Sequence, residues 1–278
     1  MVRALVLGAV QGLTEFVPVS SSAHLVLVPF LLRWPIPDLT FDVAVHIGTA
    51  LALVVYFARD LAAIVAGAVR SATGRGGADD RSKGRLLVLL AIGTIPAAIA
   101  GVLLEATFED LFTGRESVDD VGAPVTAGFL VVTAILLWAA EAVSARRGTE
   151  GRGLAQVNAL DALLIGALQA AAIAPGISRS GATISAGMFR GLTREAAARF
   201  SFLLSLPAIV GAAVVALPDL PPGADLGPLM AGAAAAAVFG FAAVAFLLRY
   251  LRTRTMRPFA AYCVALAAVA LAFWSQIN

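Results

Sequence analysis

Ala174-Pro175-Gly176-Ile177-Ser178-Arg179-Ser180-Gly181-Ala182-Thr183 places a guanidinium, three hydroxyls and two glycines inside a mostly apolar segment. A cation at membrane depth costs roughly 3 kcal/mol on insertion scales, so its default reading is functional. Pro175, Gly176 and Gly181 interrupt a helix there and free backbone N–H groups beside the arginine. Those parts suit a phosphate-sized anion.

The stretch has an echo near the start of the chain. Laying Gly166-Ala167-Leu168-Gln169 over Gly8-Ala9-Val10-Gln11 sets Ile177-Ser178-Arg179-Ser180-Gly181 against Val19-Ser20-Ser21-Ser22-Ala23, with no gap. One inserted residue further on, Phe200 falls on Phe41 and Ser205 on His46. A duplicated chain with a broken apolar segment at the same place in each half points to a binding site between the halves.

The composition agrees. Of the 278 residues 60% are hydrophobic and 14% charged, against about 25% charge in soluble domains. The net charge of +2 comes from arginines clustered between apolar runs, which is loop charge on a membrane protein rather than a nucleic-acid patch. The single cysteine, Cys263, excludes an intramolecular disulfide and a cysteine-based zinc site; in its apolar run it reads as a small hydrophobe. The apolar start of the chain has a polar centre, which argues for a retained segment and not a cleavable leader.

A full crossing needs about 20 apolar residues. Residues 2–17 fall short, carry Gln11 and Glu15, and end at Pro18 and Ser20-Ser21-Ser22; residues 23–32 then resume. Two half-length helices around a polar break read as a re-entrant hairpin, tolerable only where protein or a water-filled cavity shields it. Spans are expected over 41–57, 86–104 and 123–142, with a polar loop over 59–85 and an acidic one over 105–120. The pattern then restarts, with a second hairpin from 159–174 and 178–190 and spans over 200–217, 226–248 and 259–274.

The expected fold is therefore an all-α polytopic membrane protein, a single integral-membrane domain over 1–278. Its repeats run over about 1–147 and 159–278, each one re-entrant hairpin plus three crossings, six full spans in all. Three crossings oblige the second half to be inserted upside down. Loop charge tests this independently. The 59–85 loop has six Lys/Arg, 146–152 three, 190–199 three and 249–257 four, whereas 105–120 has one and 217–225 none. The positive-inside rule puts the rich loops in the cytoplasm and both termini outside, so the two hairpin tips can meet within the membrane.

Gln11 and Glu15 are four residues apart and share a helical face. Ser21 and His24 are three apart at the start of the next half-helix. If the tips meet, Glu15, His24, the serines and Arg179 converge: a carboxylate, an imidazole, nucleophilic hydroxyls and an anion clamp. Blander readings stand beside these. Glu15 can be a neutral buried acid, His24 a satisfied structural histidine, and the serines mere helix caps. His46, opposite Ser205 in the repeat, reads as structural; Asp42 and Glu105 read as solvated charges at the membrane edge. Arg190, Arg194 and Arg199 read as a cytoplasmic positive loop.

Gln11 to His24 (Gln-x-x-x-Glu leading into Pro-x-Ser-Ser-x-x-His) and Pro175 to Thr183 (Pro-Gly-x-Ser-Arg-Ser-Gly-Ala-Thr) resemble the undecaprenyl-diphosphate phosphatase family of BacA type. The likeness extends over nearly the whole chain, including the Phe41-Asp42-Val43 and Phe200-to-Ser205 stretches. The resemblance implies a multi-pass enzyme of the bacterial inner membrane with an inverted repeat, its site facing the periplasm. It implies removal of the terminal phosphate from a C55 isoprenoid diphosphate, giving the carrier reused in peptidoglycan synthesis. Dependence on a divalent cation, Mg²⁺ or Ca²⁺, and a link to bacitracin resistance come with it. A homodimer is a candidate assembly.

Carried over by residue, the acidic pair falls on Gln11 and Glu15, the essential hydroxyl on Ser21, the histidine on His24 and the phosphate-binding arginine on Arg179. Gln11 leaves one carboxylate where some members have two, with Glu15 the expected metal ligand. The other motif positions expected to hold substrate are Ser20, Ser22, Gly176, Ser178, Ser180, Gly181 and Thr183. Ser21 is the first choice of nucleophile, with Glu15 or His24 as its base; attack by His24 or by water stays open. The competing class is a secondary transporter or flippase of a lipid phosphate or other anion, since broken helices at the midplane serve transport too. A nucleophile–base set confined to one hairpin favours the enzyme.

Overall fold

The computed structural model describes residues 1–112, 122–147, 151–174, 176–216 and 225–277, with side chains left aside at 104–112, 122, 123 and 277. Among them are eleven α-helices and no strand. The helices are α1 (Val2–Phe16), α2 (Ser21–Leu32), α3 (Leu39–Tyr56), α4 (Ala58–Ala72), α5 (Ala78–Phe112) and α6 (Gly122–Arg147), then α7 (Ala159–Ala171), α8 (Arg179–Phe189), α9 (Arg194–Ala216), α10 (Leu226–Tyr250) and α11 (Arg257–Ile277).

Six of them, α3, α5, α6, α9, α10 and α11, are long and apolar enough to cross a membrane. Each expected span falls on one of these six. The helices run past the apolar runs because their charged ends, such as Arg194-Glu195 and Arg146-Arg147, are good helix formers in polar surroundings. α1, α2, α7 and α8 have 15, 12, 13 and 11 residues, short of the ~20 that a crossing needs.

Two loop expectations fail, and the first is at residues 105–112, expected to begin the acidic loop, which instead continue α5 to Phe112. Residues 59–85 are not a polar loop: α4 occupies most of that stretch and α5 begins at Ala78. Arginines and glycines hid the apolar residues of α4, of which Ile64 and Gly67 are buried; α4 packs against α5, and Arg70 pairs with Asp80 across that contact. Residues 113–120 of the acidic loop, most of 217–225 and Pro175 lie outside the described residues.

Packing follows the rule for helices in lipid, with small residues at the contacts. Ala127, Leu130, Ala134 and Leu137 on α6 are buried, as are Ala260, Cys263, Ala267 and Ala270 on α11, and the two helices pack together. Cys263 is thus the small core hydrophobe its setting suggested. α1 crosses α10 so closely that a Cβ on Gly8 would lie 2.2 Å from the Gly232 carbonyl oxygen. α7 meets α5 in the same way, a Cβ on Gly166 falling 2.0 Å from the Gly93 carbonyl oxygen. The two short-helix pairs, α1–α2 and α7–α8, meet where α1 touches α8.

Candidate active site

α1 ends because Pro18 disfavours a helical conformation at Val17, whose φ of −64° and ψ of 134° are extended. Glu15 is left on the last turn. Ser20 then turns the chain at φ 68°, and its Oγ accepts from the Ala23 N–H at 3.3 Å to cap α2. Ser21 is therefore the first residue of α2. The second bend is built alike: Ser178 Oγ accepts from Gly181 N at 3.1 Å and caps α8, so Arg179 is the first residue of α8.

Gly176 adopts φ 101°, a conformation a side chain would strain, and a Cβ there would also lie 2.7 Å from the Thr126 carbonyl oxygen. Thr133 of α6 holds this bend from both sides. Its hydroxyl donates to the Gly176 carbonyl at 3.1 Å and accepts from Ser178 N at 3.0 Å.

The two bends meet. Gly176 N donates to Ser22 Oγ at 3.3 Å and Ser180 Oγ donates to the Val17 carbonyl at 3.3 Å. Across that contact a guanidinium N–H of Arg179 donates to Glu15 Oε1. On the other oxygen, Oε2, Glu15 accepts from the Ser21 hydroxyl and, at 3.0 Å, from Gln11 Nε2. Gln11 thus serves Glu15 as a donor. A glutamate in its place would set two like charges together.

Glu15, Ser21, Asp42, His46, Ser178 and Arg179 line one cavity of about 290 Å³, joined by Ser20 and Ser22 and walled by apolar residues of α3 and α9. Sequence reasoning brought Glu15, the serines and Arg179 here. It did not bring Asp42 or His46, whose Nε2 stands 3.8 Å from Glu15 Oε2. Their spacing of four on one helix was the available signal; their distance from both motifs concealed it.

The structure places the remaining candidates around the cavity but not on its wall. His24 has both ring nitrogens engaged away from it, 2.7 Å from the Ser20 carbonyl and 2.8 Å from the Tyr262 hydroxyl. Gly181 gives its N–H to Ser178. Thr183 is fully buried, 2.6 Å from the Ser201 hydroxyl, and donates to the Arg179 carbonyl at 2.8 Å.

This arrangement puts an alcohol on a carboxylate, next to a guanidinium, in a cavity of phosphate scale. The model of the family described as bacitracin resistance protein BacA matches residues 4–269. The chain belongs to the BacA family. Its relatives include a protein of Geobacter sulfurreducens, 43% identical over 277 residues and 98% of each chain, and one of Moorella thermoacetica, 44% identical over 276 residues, 99% of this chain and 98% of that one. A third, from Gemmatimonas aurantiaca, is 46% identical over 272 residues, 97% of this chain and 96% of the other. All three are described as undecaprenyl-diphosphatases.

Members of the BacA family are expected to use a divalent cation, and the donor set here bears on that. Among the described residues no three His, Cys, Asp or Glu side chains gather to hold an ion. Both oxygens of Glu15 are already engaged. The residues alone do not make a closed cation site, and Glu15 and Asp42 are the carboxylates on the cavity wall that would contribute to one.

Proposed function

We infer that this chain is an undecaprenyl-diphosphatase, a hydrolase that removes the terminal phosphate of a polyprenyl diphosphate, and that the Glu15–Arg179 cavity is where it does so. The observation that carries the reading is the Ser21 hydroxyl donating to Glu15 while Arg179 pairs with the same carboxylate from the other bend.

Phosphoanhydride cleavage asks chiefly for positioning and charge neutralisation. Arg179, with N–H groups beyond the one on Glu15, and the Ser178 hydroxyl hold the terminal phosphate. Ser21 Oγ attacks its phosphorus, Glu15 takes the hydroxyl proton, and the bond to the bridging oxygen breaks. Undecaprenyl phosphate leaves, and water then cleaves the seryl phosphate to release inorganic phosphate and restore Ser21. Glu15 and Asp42 are the residues that would help hold a divalent cation, which would supply further charge neutralisation.

The architecture we propose is an inverted repeat of about 1–147 and 159–278, with α1–α2 and α7–α8 as re-entrant hairpins inserted from opposite sides. Several observations support it. Ser20 and Ser178 cap equivalent helices; Ser21 and Arg179 open them; Gly8 on Gly232 is matched by Gly166 on Gly93. With the arginine-rich loops in the cytoplasm, the termini and the cavity mouth face the periplasm across the inner membrane. The isoprenoid tail lies in lipid beside the α3–α9 wall.

The same architecture would serve a transporter, but transport has no use for a serine–carboxylate pair in one hairpin only. Purified protein in detergent has no gradient to run along. Phosphate release from a prenyl diphosphate under that condition, lost in Ser21→Ala, supports hydrolysis; no release overturns it.

A further inference from the structure

Tyr262 stands on α11, outside the cavity, 46% exposed among apolar residues such as Val17, Phe246 and Phe259. Its hydroxyl lies 2.8 Å from His24 Nε2, a contact spanning 238 residues of sequence, and the two rings are parallel within 2° at a centroid distance of 5.7 Å. The other nitrogen of His24, Nδ1, is 2.7 Å from the Ser20 carbonyl oxygen. A carbonyl only accepts, so Nδ1 carries the hydrogen, Nε2 is bare in the neutral ring, and the Tyr262 O–H donates to it. Held this way, the imidazole has no free lone pair and does not face the cavity.

What His24 holds is the one non-glycine residue at positive φ among the described residues of the site. Ser20 adopts φ 68°, rare for a residue with a side chain and stable only where the surroundings over-determine it. Its carbonyl accepts from both the backbone N–H of His24, at 3.3 Å, and Nδ1. Its hydroxyl caps α2 and lies 3.2 Å from Ser22 Oγ, which accepts from Gly176 of the second bend. Ser21 follows directly, so a rotation of the Ser20 peptide swings Ser21 Oγ off Glu15.

We propose that Tyr262 is a positioning residue for the reaction: through His24 it fixes the Ser20 turn that aims Ser21 at Glu15, and His24 itself transfers no proton. The proposal rests on the reading of Ser21 as nucleophile, and the experiment separates the two.

Steady-state kcat and KM for prenyl diphosphate hydrolysis are measured in detergent for Tyr262→Phe, His24→Asn, His24→Ala and Ser21→Ala, with a thermal melt of each. Tyr262→Phe keeps the ring and removes one neutral hydrogen bond, so kcat falls roughly threefold to tenfold while KM stays within about twofold, because the phosphate clamp is untouched. An asparagine amide at position 24 can still donate to the Ser20 carbonyl. His24→Asn therefore recovers most of the kcat that His24→Ala loses. Adding Tyr262→Phe to His24→Ala costs nothing further, since Tyr262 acts only through His24.

Wild-type kcat in Tyr262→Phe, or His24→Asn as inactive as His24→Ala with both folded, overturns the proposal. The Asn and Phe variants carry the test if His24→Ala does not fold. Retained turnover in Ser21→Ala would instead remove the nucleophile reading beneath it.

Discussion

Three buried carboxylates among the described residues are paired with arginine, and only one of them also meets an alcohol on a cavity wall. Asp161, at the start of α7, is fully buried. It accepts from Arg152 at 2.7 and 2.9 Å, from Arg190 at 2.8 Å and from Asn158 N at 3.0 Å. Glu15 is 6% exposed and accepts from Arg179, Ser21 and Gln11. The difference lies in the donors. Asp161 meets only arginine and backbone N–H groups, none of which gives up its proton, whereas Glu15 meets an alcohol and opens on a cavity. Glu141 on α6 belongs with Asp161, held by Arg194 at 2.6 and 2.8 Å and by Met256 N at 2.8 Å. A buried acid–arginine pair marks a site only when a transferable proton and room for a ligand come with it.

The comparison breaks most visibly at Ser21. Ser21→Ala should lower phosphate release by about three decades or more, as loss of a nucleophile does, with little change in melting temperature. Retention of more than about a tenth of the activity would place Ser21 with the structural hydroxyls. Arg179→Lys keeps the charge and loses the planar fork, so a loss of roughly 10- to 100-fold in kcat/KM is expected in the same assay. Near-normal turnover would show that Arg179 is a structural counter-ion like Arg190.

Asp161→Asn should do the reverse. Arg152 and Arg190 are about one-third exposed and can turn to water, so the cost is roughly 1–3 kcal/mol of stability, read as a lower melting temperature, with kcat of the folded protein unchanged. A fall in kcat at constant stability would put Asp161 in the reaction.

The smallest effect is in acid. Burial pushes the Asp161 carboxyl up from its ordinary 3.8, but hydrogen bonds from Arg152 and Arg190 overcome this and hold it at about 2. Its contribution is complete above about pH 4 and is lost as the pH falls toward about 2, because the folded state resists the proton that the unfolded chain binds. The melting-temperature gap between wild type and Asp161→Asn should therefore narrow across that window. A gap independent of pH would mean the arginine pairing contributes nothing.

Much of this was legible beforehand. Hydropathy and length gave the six long helices, and the internal match of Ser20-Ser21-Ser22 with Ser178-Arg179-Ser180 brought Arg179 to Glu15 across 164 residues. What stayed hidden depends on rotation about helix axes and on partners far away in the chain. Asp161 sat in plain view in an apolar run, yet only folding shows that Arg152 and Arg190 surround it. His24 follows the serines at helical spacing, but its direction is set by Tyr262, which no motif contains. Asp42 and His46 share a face of α3, and nothing local says that this face turns toward Glu15. Thr133, which braces the second bend, is one threonine in an apolar span. α4 was missed because its buried stripe is narrow and the stretch that follows it, 73–85, is rich in glycine and charge.

The most direct test follows the phosphate itself. Wild-type protein is mixed with a prenyl diphosphate labelled in its terminal phosphate, quenched during turnover, and digested with trypsin. Cleavage after Arg3 and Arg33 isolates one peptide carrying Ser20, Ser21, Ser22 and His24. Acid-stable label is expected on Ser21 and absent in Ser21→Ala; acid-labile label on His24, or turnover with no covalent label at all, would mean that Ser21 is not the nucleophile.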